Sequence, residues 1–239
     1  MALVPVTLVA LAAALTFLGT FLWFMRYAYS SEAEFGELSF GLDYRDTFIV
    51  ILSIVPLAAA LSYLLMSAGL GFIQVSDRII PFIRYFEWSI TTPLLLLGLS
   101  VLVREDRTAF LLLGLDVLMI VSGFIAAVTP APVRYIPLAL SGACLIAIMR
   151  SVVLEAGEKA REGPEAVRFL YEDLQTVLVV VWSLYPLVWF ISTDGFGLIG
   201  FEASFVLFTV LDLSAKIGFT VAVVKSMERL ETLRDTPEK

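Results

Sequence analysis

The chain of 239 residues contains no histidine and only one cysteine, Cys144. A disulfide within the chain is therefore excluded. A transition-metal site is not expected either, because such sites are built mainly from histidine and cysteine side chains. We interpret Cys144 as a small packing residue of a helix. The net charge of −7 comes from acidic residues mixed with basic ones, and it gives no indication of a nucleic-acid partner.

Long apolar runs dominate the sequence, with 59% hydrophobic residues and a mean hydropathy of +0.92, far above the values of soluble domains. Seven runs each have about the 20 residues that cross a bilayer as a helix, and none alternates as a barrel strand does. We predict an all-α, multi-pass protein of the cell membrane, surrounded by the lipid bilayer. Residues 1–239 would form a single seven-transmembrane-helix bundle with a short tail from about residue 226. The seven predicted stretches are Val4–Met25, Thr47–Ala68, Ile80–Val103, Thr108–Val128, Val133–Leu154, Phe169–Ile191 and Gly200–Val224.

Lysine and arginine are distributed unequally between the two ends of these stretches. If the N-terminus lies outside, twelve of the 16 lie on the inner side and three, Arg78, Arg84 and Arg134, on the outer side. The positive-inside rule then predicts an outer N-terminus and a cytoplasmic C-terminus. The first stretch lacks a basic leading segment and a small-residue cleavage site, so we predict a first helix and not a signal peptide. The charged run Glu155–Asp173 is interpreted as a solvated helix extension.

Lys216 lies in the middle of the last apolar stretch. A lysine near the centre of a bilayer costs roughly 2.5–3.5 kcal/mol on insertion scales, so it is expected to have a partner or a covalent role. Asp212 precedes it by four residues and therefore lies on the same helix face. The two residues could form an ion pair that merely neutralises both charges. We favour a Schiff-base lysine with its counter-ion, because an uncharged pair would pack at lower cost.

The third stretch carries a second set of polar residues, Arg84, Glu87 and Thr91, spaced by three and four positions. This spacing predicts that all three lie along one stripe of the helix. A carboxylate at this depth is costly unless it meets a positive charge, and Lys216 could provide that charge. The alternative is an Arg84–Glu87 ion pair at the outer end of the helix. Pro93 is tolerated within a membrane helix when neighbours satisfy the freed carbonyl.

Three motifs lie in the third, sixth and last stretches, in the order Arg84-Tyr-x-Glu87-Trp-x-x-Thr91-Thr-Pro93-Leu, Trp182-Ser-Leu-Tyr185-Pro-Leu-Val-Trp189 and Asp212-Leu-Ser-Ala-Lys216. Together they resemble the microbial rhodopsins, in particular the bacteriorhodopsin-like branch. The resemblance covers essentially the whole chain, although the loops align poorly. A lone intramembrane lysine would be a weak signal, whereas three motifs in the expected helices and order are specific.

The resemblance implies that all-trans retinal is bound covalently to Lys216 as a protonated Schiff base. Glu87 and Asp212 would form a paired counter-ion, with Thr91 in the same proton-transfer group and Arg84 holding a water cluster beneath them. Asp194 would belong to the proton-release group, and Glu202 could substitute for its second member. The residues implied to bind retinal or to line its pocket are Lys216, Tyr63, Trp88, Thr92, Leu95, Met119, Gly123, Ser141, Trp182, Tyr185 and Trp189.

Finer roles follow from the same resemblance. Tyr63 and Tyr185 would donate hydrogen bonds to Asp212, and Thr92 would bridge to Asp116 on the fourth helix. The three tryptophans would enclose the polyene chain. Taken singly, each aromatic residue could equally be an ordinary core or interface residue. Their helical spacing beside Pro186 favours the pocket.

Several positions depart from the pattern of this branch. Glu87 stands where an aspartate is usual. Gly98 stands where the carboxyl group that returns the proton is expected, eleven residues beyond Glu87 and about 16 Å along the helix. Glycine cannot donate a proton. Ser204 replaces one acidic residue of the release group, while Asp194 keeps the other.

These departures separate the candidate functions. Glu87 argues against an inward chloride pump, the Asn-Asp-Gln pattern of sodium pumps is absent, and Thr47–Ala68 lacks the acidic or lysine residues expected of a channel. Without a donor at Gly98, the deprotonated state should be long-lived. The sequence therefore favours a slow-cycling photosensory receptor, with a light-driven outward proton pump as the alternative. The tyrosine–threonine relay of sensory relatives is replaced by Leu178 and Ala215, which weakens the sensory interpretation. A transporter without retinal remains a third class.

No enzymatic activity is expected. A sensor would have to signal through a second membrane protein as its transducer, and homo-oligomers are usual among the proteins that the chain resembles. Leu138 stands where relatives that bind a carotenoid antenna have a glycine, which argues against such an antenna here.

Overall fold

The computed structural model describes residues 4–30, 44–103 and 106–234. The helices are α1 (Val4–Ser30), α2 (Tyr44–Ser67), α3 (Phe82–Val103), α4 (Asp106–Val128), α5 (Tyr135–Arg150), α6 (Gly157–Glu162), α7 (Glu165–Ile191) and α8 (Phe201–Arg234). A π-helical segment, Ser151–Ala156, joins α5 to α6. Two short strands, β1 (Ile73–Val75) and β2 (Arg78–Ile80), pair antiparallel between α2 and α3.

Seven of the described helical rods are long and apolar enough to cross a membrane, as predicted. Because α5, the π-helical segment and α6 run on without a break, they form one span, Tyr135–Glu162. The chain is therefore a seven-helix bundle of the membrane. Neighbouring spans pack against each other, and α8 also contacts α1, which closes the bundle.

The structure corrects several predicted boundaries. Ile80, assigned to the third helix, belongs to strand β2, and the hairpin itself was not foreseen. The run Glu155–Asp173 is not one helix extension, because Gly163 and Pro164 separate α6 from α7. The segment beyond residue 226 continues as helix to Arg234.

The hairpin marks one end of the bundle. The C-terminal ends of α2, α4 and α7 and the N-terminal ends of α3, α5 and α8 lie at this end, because each pair is joined there in sequence. We call the part of the bundle between Lys216 and the hairpin the hairpin half. The part between Lys216 and the π-helical segment is called the tail half. Orientation across the membrane stays a prediction.

Proline lies inside three of the spans, at Pro56, Pro93 and Pro186, without ending the helix. This is tolerated in a membrane bundle because neighbouring groups satisfy the freed carbonyls. Small and aromatic side chains of α1, α2 and α8 form one packed layer in the hairpin half, including Ala10, Phe17 and Phe205. A larger apolar cluster fills the tail half and surrounds the parts of α3 and α8 that lie in this half.

Candidate functional site

Lys216 lies between two buried carboxylates in the centre of the bundle. Its Nζ donates to Glu87 Oε2 at 3.2 Å and to Asp212 Oδ1 at 3.1 Å. The three residues are 3%, 1% and 0% exposed for Lys216, Glu87 and Asp212 respectively. Buried charges are stable only when paired and hydrogen-bonded. The structure therefore brings together the lysine of the last span and the carboxylate of the third, as expected from the sequence.

The two carboxylates have different surroundings. Asp212 accepts hydrogen bonds from the hydroxyl of Tyr63 at 2.6 Å, the indole of Trp88 at 2.8 Å and the hydroxyl of Tyr185 at 2.8 Å. Arg84 Nε lies a further 3.8 Å from its Oδ2. The tyrosine contacts were expected, whereas the Trp88 contact was not, because an aromatic residue in a helix pattern gives no sign of where its N–H points. Asp212 is thus held as an anion by several donors.

Glu87 has few partners apart from Lys216. Its Oε1 accepts no hydrogen bond from the described residues, and neither does the hydroxyl of Thr91 donate one. Thr91 is fully buried one helical turn from Glu87. Glu87 is therefore hydrogen-bonded to fewer described groups than Asp212 is.

Arg84 shares the stripe of Glu87 and Thr91 and is buried at 3% exposure. Its guanidinium carbon lies 4.8 Å from the ring centre of Phe205 and 5.2 Å from that of Phe208. Arginine stacks favourably on aromatic faces. The alternative of an Arg84–Glu87 ion pair at a helix end is not what the structure shows, because the carboxylate within ion-pair distance of Arg84 is Asp212.

A cavity of about 450 Å³ begins at Lys216 and extends between α3, α4, α5 and α7. Ten of the eleven residues predicted to bind or surround the cofactor line this cavity. The eleventh, Tyr63, instead donates a hydrogen bond to Asp212. The lining also includes Tyr85, Leu138 and Phe208, and its predicted members are Lys216, Trp88, Thr92, Leu95, Met119, Gly123, Ser141, Trp182, Tyr185 and Trp189. The walls are predominantly apolar or aromatic, as expected for a pocket that buries a hydrocarbon chain.

The expected polar bridge between the third and fourth spans is present. Thr92 Oγ1 donates to Asp116 Oδ2 at 2.7 Å, and Asp116 is fully buried. On the other side of the cavity, Ser141 Oγ donates to the carbonyl of Met119 at 2.8 Å. These bonds fix α3, α4 and α5 around the middle of the pocket.

Asp194 and Glu202, the residues expected in the proton-release group, have different surroundings. Asp194 follows α7, is 9% exposed and pairs with Arg78 of strand β2 at 3.1 Å. Glu202 lies in the first turn of α8 and is exposed. Among the described residues no hydrogen bond or ion pair joins the two. The Arg78 contact was missed because the hairpin that presents Arg78 was not predicted.

Gly98 lies in the tail half, packed against aromatic side chains. A Cβ at this position would come within 3.3 Å of both Phe219 Cζ and Phe48 Cε1. Both phenylalanines are 1% exposed. The position therefore lacks a carboxyl group and is also too crowded to take one without rearrangement.

A sequence profile of the family described as bacteriorhodopsin-like protein matches residues 5–230. The bacteriorhodopsin of Haloterrigena sp. is 38% identical over 194 residues, which cover 78% of this chain and 77% of that protein. Bacteriorhodopsin-I of Haloquadratum walsbyi is 36% identical over 197 residues, covering 78% of both chains. Archaerhodopsin-3 of Halorubrum sodomense is 37% identical over 191 residues, covering 77% of this chain and 73% of the relative.

Solved structures agree with this assignment. The thermophilic rhodopsin from Rubrobacter xylanophilus superposes with a TM-score of 0.85 at 31% identity, covering 97% of this chain and all of the other. A cyanorhodopsin from Calothrix sp. also gives a TM-score of 0.85, at 27% identity and 95% coverage of this chain. The fold and the buried lysine site define a microbial rhodopsin. The chain belongs to the bacteriorhodopsin-like family.

Members of this family bind retinal covalently through a lysine, and in this chain that lysine is Lys216. The observed site fits such a group. An apolar cavity begins at Lys216, and the carboxylate of Glu87 lies 3.2 Å from its nitrogen. The protein is a retinal-binding, light-driven rhodopsin of the membrane. The individual roles assigned to the surrounding side chains stay predictions.

Proposed function

We propose that this protein is a light-driven outward proton pump. The relatives compared above are bacteriorhodopsins and archaerhodopsins, and these are light-driven proton pumps. The sequence alone favoured a photosensory receptor, because Gly98 removes the usual internal proton donor. The relatives support the alternative better, so the missing donor is interpreted as a cause of slow pumping.

The observation that carries the proposal is the unequal pairing of the two carboxylates beside Lys216. Asp212 already accepts from three neutral donors in addition to Lys216, and it lies near Arg84. Glu87 accepts a hydrogen bond from Lys216 and has the Thr91 hydroxyl as a neighbour, so it has fewer donors than Asp212. A proton leaving the Lys216 nitrogen therefore goes to Glu87, while Asp212 stays ionised.

Bound at Lys216, retinal supplies the absorption of visible light and a change of shape that alters the proton affinity of the nitrogen. The protein's residues set the path of the proton. The Lys216 nitrogen and Glu87 Oε2 are 3.2 Å apart, which is within the range for direct transfer or transfer through one water. The walls of the cavity beside this pair are predominantly apolar.

Onward movement is proposed to run through the hairpin half. Arg84 lies beside the carboxylates, and Asp194 lies closer to the surface with Arg78. Protonation of Glu87 removes a negative charge near Arg84, so Arg84 would be attracted more strongly toward Asp194. The return of a proton through the tail half has no buried carboxyl group to assist it near Gly98. This half is proposed to face the cytoplasm, as the distribution of basic residues predicts.

The test is the light-induced pH change of an unbuffered suspension of cells that express the protein with retinal. We expect the medium to acidify under illumination, and a protonophore should abolish the change. Lys216→Ala is the matched dark control. A photoactive pigment that produces no pH change would reject the pump and restore the sensory interpretation.

A further inference from the structure

In the sequence, Arg78 is one of three basic residues predicted on the outer side of the membrane. In the structure its side chain links three segments of the chain, and we call this set of contacts the clamp. Its Nη1 donates to Asp194 Oδ1 at 3.1 Å and its Nη2 donates to the carbonyl of Thr129 at 3.2 Å. Strand β2, the end of α4 and the segment after α7 are thereby joined through one side chain.

The clamp is largely shielded from water. The side chains of Arg78 and Asp194 are 10% and 12% exposed. Ion pairs on an exposed surface are worth little, whereas an arginine beside a carboxylate with this degree of burial affects the charge state of the carboxylate. The backbone N–H of Asp194 also donates to Ser192 Oγ at 3.1 Å, which fixes the carboxylate relative to α7.

Asp194 is surrounded by more positive than negative charge. Arg78, Arg134 and Arg84 all act on its carboxylate, while Tyr85 is a neutral titratable neighbour. Burial raises the pKa of Asp194 above its ordinary value, and the attraction of Arg78 is the largest effect that opposes the rise. The balance between burial and Arg78 therefore determines whether this carboxyl group holds a proton in the dark.

We propose that Arg78 is a positioning residue that keeps Asp194 ionised in the dark, so that proton release to the outside waits until a proton from the Glu87 region reaches Asp194. Glu202 is exposed, and no hydrogen bond or ion pair joins it to Asp194 among the described residues, so the proposed relay has Asp194 as its single carboxyl group. Asp194 thus acts as a proton relay that is deprotonated in the dark. This inference rests on the proposed proton transport.

The proposal predicts the order of two events after a flash. In the wild type near neutral pH, uptake of a proton should precede its release. In Arg78→Gln, the buried Asp194 loses its partner, and its pKa should rise because the attraction of Arg78 no longer opposes the effect of burial. Because a raised pKa means that the group holds its proton up to a higher pH, an early release phase should emerge in this variant below the new pKa.

The experiment follows a membrane-impermeant pH dye and the recovery of pigment absorption in the same sample, between about pH 5 and pH 9. Arg78→Lys should restore the wild-type order, because it keeps a positive charge within reach. The double variant Arg78→Gln with Asp194→Asn should lose the early phase. These outcomes go beyond a structural role, which would alter stability but not the order or pH dependence of release.

Two results would overturn the inference. One is an Arg78→Gln variant with the wild-type order of uptake and release at every pH. The other is an early phase that survives the removal of the Asp194 carboxyl group. Either result leaves the pump intact if the wild type still acidifies the medium. Failure of the pump itself would instead show as the absence of net acidification in the wild type.

Discussion

The hairpin half and the tail half of this bundle are built from different kinds of side chain. The hairpin half contains a series of charged residues, namely the buried Glu87, Arg84 and Asp194 and the partly buried Arg78. At the corresponding depth of the tail half, Gly98 is packed against Phe48 and Phe219. The hairpin half therefore offers charged groups that can take part in proton transfer, whereas the position of Gly98 in the tail half offers no carboxyl group.

The hydroxyl groups of the tail half do not compensate for the missing carboxyl group. Ser100 donates to the carbonyl of Leu96 at 2.9 Å, and Thr220 donates to the carbonyl of Lys216 at 2.9 Å. Both hydroxyls are thus engaged with their own helices, and a hydroxyl is far too weak an acid to act as donor. From the difference between the halves we expect the proton to leave Lys216 quickly and to return slowly.

Removing the amine of Lys216 should have the largest effect, because the proposed proton transfer in both halves begins or ends at this group. Lys216→Ala should abolish pigment formation when all-trans retinal is added, and it also leaves Glu87 and Asp212 buried without their partner. Breaking such a buried pair typically costs about 3–5 kcal/mol, so reduced stability is expected as well. Absorption spectra before and after borohydride treatment provide the measurement.

The matched control is Lys225→Ala, which removes an exposed lysine of the same helix and should leave the spectrum unchanged. A red-shifted, borohydride-sensitive pigment in Lys216→Ala would refute the attachment site.

Neutralising the acceptor of the hairpin half should be the next largest effect. Glu87→Gln should red-shift the absorption at neutral pH and abolish light-driven acidification, because the negative charge beside the Lys216 nitrogen is lost. Acidification of the wild type should produce a similar red shift. Its midpoint would belong to the coupled group of Glu87, Asp212 and the Lys216 nitrogen, not to Glu87 alone. An unchanged spectrum in Glu87→Gln would transfer the counter-ion role to Asp212.

The tail half predicts a strong pH dependence of recovery. With no internal donor, the proton must come from bulk solvent, so recovery of the dark absorption after a flash should slow roughly tenfold for each unit rise in pH. Azide, a mobile proton carrier, should accelerate the recovery. A fast recovery that does not change with pH would reveal an internal donor that the structure does not identify.

Substitution of Gly98 sharpens this comparison. Gly98→Asp should accelerate recovery and flatten its pH dependence once Phe48 and Phe219, which lie 3.3 Å from a Cβ at this position, rearrange to admit the carboxyl group. Gly98→Asn has nearly the same size but no acidic proton, so it isolates the effect of packing. Equal rates in the two variants would show that crowding alone governs the recovery.

The smallest effect is expected at the bridge between α3 and α4. Thr92→Val removes the only hydrogen bond that Asp116 receives from a described residue and leaves its buried carboxyl group unsatisfied. Such a loss typically costs about 1–3 kcal/mol. Thermal bleaching should occur at a lower temperature, with little change in proton transport. Thr92→Ser, which keeps the hydroxyl, should behave as the wild type.

The fold was largely predictable because membrane helices can be recognised in a sequence by their length and hydropathy. The spacing of Asp212 and Lys216, and that of Arg84, Glu87 and Thr91, also placed these side chains on common helix faces. The hairpin was not predictable, since three-residue strands leave almost no periodic signal. The Arg78–Asp194 pair depends on that hairpin and joins residues 116 positions apart.

Other features required atomic positions. No pattern in the sequence indicates that Trp88 donates to Asp212 or that Glu87 has fewer donors than Asp212. Likewise, Gly98 could be recognised as lacking an acid, but the phenylalanines that crowd it come from α2 and α8, far away in sequence.

The central claim is that Glu87 receives the proton while Asp212 stays ionised. The light-induced infrared difference spectrum of the hydrated pigment tests it most directly, because a protonated carboxyl group has a carbonyl stretch that a carboxylate lacks. If Glu87 receives the proton, a positive carbonyl band should appear during the light reaction. This band should be shifted in Glu87→Asp and absent in Glu87→Gln. A band that persists unchanged in Glu87→Gln would contradict this claim.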